Sequence, residues 1–80
     1  MLETALKNAD ARRKLPSPPM RRALREQAGL SQETIADAVG VQRSAVSRWE
    51  SGNRTPRGNV ALTYAAVLNE LAIHLDKAGR

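Results

Sequence analysis

The 80-residue chain has no cysteine and no phenylalanine, and its only aromatic side chains are Trp49 and Tyr64. Without cysteine there is no disulfide framework and no thiolate metal site. With so few aromatics, a core must be built from aliphatic and alanine side chains, as helix-on-helix packing allows. No apolar run reaches the length of a signal-peptide core or a membrane span. His74 is the only histidine, so no histidine cluster can hold a metal. There is no glycine-rich phosphate loop and no nucleophile with paired histidines. Enzyme chemistry is therefore the poorest reading, and no cofactor is expected.

What is present is helical pattern and positive charge. Strand-like alternation is absent, and glycine and proline fall mostly between helix-like segments, so the chain is read as all-α. Eighty residues suffice for one domain with a small core and a modest stability margin. The formal net charge is +5, with +4 in residues 1–30, +1 in 31–58 and zero in 59–80. That distribution favours a polyanionic partner. A solvated surface would also account for a charge of this size.

The densest information lies in Gln32 to Glu50. Gly29 suits the end of a preceding helix, and Ser31 can N-cap the next. Ile35, Ala36 and Val39 form that helix's apolar stripe, with Ala36 small enough for a close helix crossing. Gly40 then turns the chain, and Val41 faces back into the core. A second helix over about Gln42 to Ser51 places Ala45, Val46 and Trp49 on one side. Arg43, Ser44, Ser47 and Arg48 occupy the other, without a carboxylate among them. Two short helices across so tight a turn make a helix-turn-helix, whose second helix fits the DNA major groove.

Residues 1–16 are read as an N-terminal extension, and 17–80 as the domain. Leu2, Leu6 and Ala9 lie on one helical face of the extension. Arg12-Arg13-Lys14 would make either a phosphate-contacting arm or a solvated tail. Ser17 is a sensible N-cap with Pro18 at the first helical position. The first domain helix is expected from about Pro18 to Ala28, with Met20, Ala23, Leu24 and Ala28 buried. Gly52 to Gly58 reads as a loop. The last helix is expected from about Asn59 or Val60 to Lys77. It is apolar around too much of its circumference for one partner. Leu71, Ile73 and Leu75 are therefore expected at a dimer or partner surface.

The chain resembles the Cro/phage-repressor (XRE-type) helix-turn-helix family. The resemblance rests on Arg25, Gly29-Leu30-Ser31-Gln32, Ala36, Gly40-Val41, Val46-Ser47, Trp49-Glu50, Gly52 and Pro56, and covers roughly Met20 to Leu71. It departs from the family at Gln42, often a better N-cap, and at Asn69-Glu70, where a glycine-containing turn is usual before a short fifth helix. The fold implied is a compact four- or five-helix, lambda-repressor-like domain, together with the short N-terminal helical extension.

The resemblance implies base contacts from Arg43, Ser44 and Arg48, to which the outward side of the second helix adds Ser47. Ser47 alternatively bonds within its own helix. Phosphate contacts are expected from Gln32, Gln42, Asn53, Arg54 and Arg57, and a structural ion pair between Arg25 and Glu50. Activity would be that of a cytoplasmic transcriptional repressor, in a bacterial cell or a phage-infected host. It would bind double-stranded operator DNA as a homodimer, without a membrane. Guanines are expected opposite Arg43 and Arg48. The alternative is an antitoxin-like protein, binding its operator and a partner toxin through the N-terminal segment and last helix.

Overall fold

Short-range capping sets where the helices begin and end. The computed structural model describes residues 15–78, which form α1 (Pro18–Gln27), α2 (Gln32–Val39), α3 (Arg43–Ser51) and α4 (Gly58–Ala78). Among the described residues there is no strand. The expected extension helix and the Arg12-Arg13-Lys14 run lie outside them.

Ser17 Oγ accepts the Met20 N–H at 3.4 Å, while Pro18 and Pro19 open α1, where no N–H is needed. Ser31 Oγ accepts the Thr34 N–H at 3.0 Å to start α2. Gly40, at φ 87°, stops α2 in the left-handed region that favours glycine. The Ala36 carbonyl accepts the N–H groups of both Gly40 and Val41, at 2.8 and 2.9 Å. The chain therefore reverses within three residues. Gln42 precedes α3 without a side-chain cap bond, consistent with its departure from the usual Ser or Thr.

The core gathers Ile35, Ala36 and Val39 from α2, Val46 and Trp49 from α3, and Tyr64 and Leu68 from α4. The rings of Trp49 and Tyr64 meet with centroids 4.7 Å apart and planes tilted by 40°. An aromatic pair of this kind adds about 0.5–1.5 kcal/mol beyond the area it buries. Pro56 is fully buried and anchors the α3–α4 loop to the core.

One expectation is revised. Met20 is 51% exposed, whereas Arg21 is buried at 8%. Arg21 faces inward because its guanidinium finds carbonyl partners there, described below. Leu71 is half-buried and packs partly against this chain's own core, since it continues the Ala61, Tyr64, Leu68 spacing of α4. Ile73 lies off that stripe and is 41% exposed. As expected, α4 runs unbroken for 21 residues through Asn69-Glu70, which gives four helices among the described residues.

Candidate nucleic-acid interface

The orientation of α3 is set by a buried ion pair. Arg25 Nε donates to Glu50 Oε2 at 2.6 Å, and Arg25 Nη2 donates to Glu50 Oε1 at 3.0 Å. A third donor, Nη1, reaches the Leu30 carbonyl at 2.9 Å. The side chains are 12% and 4% exposed. Burial by itself would push the Glu50 carboxyl up. The hydrogen bonds from Arg25 and Gln32, with the arginine's charge, more than offset this and hold it below its ordinary 4.5. The hydrogen bond to Glu50 likewise raises Arg25. A planar bidentate pair fixes direction as well as distance, so α1 holds the end of α3 at a set angle.

The network continues outward. Gln32 Nε2 donates to Glu50 Oε1 at 3.1 Å, and Gln32 Oε1 accepts from Arg43 Nη1 at 3.1 Å. A carboxylate only accepts, so Glu50 must face the amide nitrogen and leave the amide oxygen to Arg43. Four side chains from α1, α2 and α3 thus run in series from the interior to the surface.

Arg21 supplies a second brace. Its Nε donates to the Pro16 carbonyl at 2.7 Å, and its Nη1 to the Trp49 carbonyl at 3.1 Å, in a buried contact. The Trp49 carbonyl belongs to the last turn of α3, where a cation complements the helix dipole. Sequence periodicity did not reveal this residue, because an arginine is ordinarily assigned to solvent.

On α3, Val46, Trp49 and Glu50 are buried, Ala45 and Ser47 half-buried, and Arg43, Ser44, Arg48 and Ser51 exposed. Ser51 Oγ donates to the Arg48 carbonyl at 3.1 Å. Gln42 is exposed beside the start of α3, and Asn53, Arg54, Thr55 and Arg57 are exposed in the loop after it. The Arg54 N–H bonds the Arg48 carbonyl at 3.3 Å, tying the loop to α3. Between them lies an open cleft of about 490 Å³. Buried Trp49 and Pro56 with half-buried Ala45 form its floor, and exposed Arg48, Arg54, Thr55 and Arg57 its rim. No acidic side chain lines it. The expected residues therefore fall on one contiguous run of α3 and its following loop, with Gln32 joined through Arg43. Ile73 and Leu75 sit apart, near the end of α4.

Comparison with known families resolves which helix-turn-helix this is. A family model described as Helix-turn-helix matches residues 22–73, which run from within α1 through most of α4. The chain belongs to the Cro/phage-repressor (XRE-type) helix-turn-helix family. No curated protein and no solved structure matches it. XRE-type domains are DNA-binding transcription regulators, which gives the basic surface its partner class. In the helix-turn-helix, α2 is the supporting helix and α3 the recognition helix. No helix among the described residues is long and apolar enough to cross a membrane.

Proposed function

We propose that this protein is a sequence-specific repressor that binds a palindromic operator as a homodimer. The recognition helix α3 enters the major groove with the face that carries Arg43, Ser44, Ser47 and Arg48 against DNA. Gln32, Gln42, Asn53, Arg54 and Arg57 hold the flanking backbone. Bound at a promoter, the dimer excludes polymerase. It performs no catalysis.

One observation carries the reading. The outward side of α3 holds two arginines and two exposed serines, Ser44 and Ser51, with half-buried Ser47 beside them and no carboxylate, while its one glutamate, Glu50, is turned inward and neutralised by Arg25. A solvent-facing helix side would ordinarily mix charge signs. Hydroxyl and guanidinium groups alone suit base edges and phosphates. The exposed Ile73 near the end of α4 supports a second copy as the partner of that helix.

In-vitro selection from random duplex DNA, followed by sizing of the complex, tests the reading. The expected result is a two-fold symmetric site whose half-sites are about 34 Å apart, bound by two chains. Failure to enrich any sequence would overturn it. An enriched site without symmetry, bound by one chain, would overturn the dimer.

A further inference from the structure

Arg43 and Arg48 are five residues apart on α3, which places them about 140° apart around the helix at 3.6 residues per turn. Their surroundings differ accordingly. Arg43 lies on the α2 side, held by Gln32 Oε1 at 3.1 Å. Arg48 lies on the loop side, on the rim of the cleft with Arg54 and Arg57. Building on the DNA-binding reading above, we propose that the two arginines divide the work. Arg43, with Ser44 and Ser47, reads base edges, whereas Arg48 joins Arg54 and Arg57 in seating one phosphodiester of the DNA backbone.

The chemistry of the cleft supports this division. Arg48, Arg54 and Arg57 share one rim, and none of them pairs with a carboxylate among the described residues. Like charges brought together in this way repel, and an anion between them relieves the repulsion. The bond from the Arg54 N–H to the Arg48 carbonyl fastens the loop to the helix, so the seat is formed before binding. Helix α4 begins at Gly58, directly after Arg57, with no acid in its first turn. Its N-terminal end adds partial positive charge beside the rim. The apolar floor of Ala45, Trp49 and Pro56 suits the carbon face of a deoxyribose.

Arg43 is arranged differently. One of its five N–H donors is engaged by Gln32, which orients the guanidinium plane. The remaining donors include the pair that guanine O6 and N7 accept. Gln32 is itself oriented by Glu50, so Gln32 and Glu50 act as positioning residues for the base reader.

The test compares wild type, Arg43→Ala, Arg48→Ala and Arg57→Ala in the full chain. Selection from random duplexes is combined with salt titration of affinity on the selected and a scrambled duplex. All three positions are exposed, so folding should survive each change, and thermal melts check this. Arg48→Ala and Arg57→Ala should enrich the same sequence as wild type. They should weaken binding to both duplexes by the same factor and lower the salt slope by about 1. Arg43→Ala should lose about five- to hundredfold of preference at one base pair per half-site. The division is overturned if Arg48→Ala relaxes base preference at one position with the salt slope unchanged. It is also overturned if Arg43→Ala and Arg48→Ala give the same profile. If wild type itself enriches nothing, the DNA-binding reading falls, and the division with it.

Discussion

The guanidinium of Arg21 donates to the Trp49 carbonyl at 3.1 Å, so a buried cation from α1 closes the last turn of the recognition helix. The same side chain holds the Pro16 carbonyl at 2.7 Å. It thereby fastens the segment before α1 to the end of α3. The aliphatic stem can pack inside because both hydrogen bonds satisfy the charged head.

Arg21→Met retains a stem of similar shape and removes the donors. It is expected to lower stability by about 1.5–3 kcal/mol, the usual range for hydrogen bonds to charged groups. In a domain of this size each kcal/mol lost lowers Tm by about 4–8 °C. Arg21→Lys should recover part of the loss, since one ammonium cannot reproduce the fork. Equal Tm values for wild type and Arg21→Met, by calorimetry, would show that the two bonds are not stabilising.

Glu50→Ala leaves Arg25 buried without its partner and should cost about 3–5 kcal/mol. The double change Arg25→Met with Glu50→Leu should cost less, because it removes the desolvated charge as well. The pair also makes stability depend on acidity. The carboxyl of Glu50 lies below its ordinary 4.5 in the folded protein. Its contribution is complete above 4.5 and is lost as the pH falls through the lower, folded value. Tm measured downward from pH 5 should decline in wild type and decline less steeply in Glu50→Gln. Parallel acid limbs for the two proteins would count against the pair as the source.

The hydroxyl of Tyr64 is buried and has no hydrogen-bond partner among the described residues, and burial pushes its pKa up from 10.0 to about 12. An unsatisfied buried hydroxyl costs about 1–3 kcal/mol, so Tyr64→Phe should equal or exceed wild type in stability. Because the folded pKa is the higher one, folding favours the neutral phenol. Tyr64's contribution is intact below pH 10 and is lost as the pH rises from 10 through about 12. Denaturant unfolding at pH 8 and pH 11 should show a smaller decline for Tyr64→Phe than for wild type. A lower stability of Tyr64→Phe at pH 8 would indicate that the hydroxyl has found a partner.

Ile73 is 41% exposed, whereas Leu71 is packed on the core of its own chain. If α4 carries the homodimer contact proposed above, Ile73→Glu should shift sedimentation from dimer to monomer while leaving the monomer's unfolding free energy within about 0.5 kcal/mol, as for surface changes. Leu71→Glu should instead unfold the domain partly. A dimer unaffected by Ile73→Glu would place the contact elsewhere.

Local chemistry by itself determined the helix starts and the reversal. Ser17 and Ser31 cap the helices that follow them, and Gly40 permits the turn, because each depends on groups within four residues in sequence. The alternation of apolar and polar positions likewise separated the inner and outer sides of α3 and made Arg43, Ser44 and Arg48 legible as surface residues. The unbroken course of α4 was already suggested by the absence of a glycine near Asn69. Only the tertiary structure decided the rest. Arg21 turns inward and Met20 outward because the Trp49 carbonyl, 28 residues away, awaits a donor beside the Pro16 carbonyl that just precedes α1. Gln32 meets Arg43, and Arg48 meets the Arg54–Arg57 loop, through contacts that exist only once α2, α3 and the loop are packed. Periodicity shows which side of a helix faces out. What stands beside each exposed side chain depends on the packing of separate elements, and one helix's pattern holds no record of it.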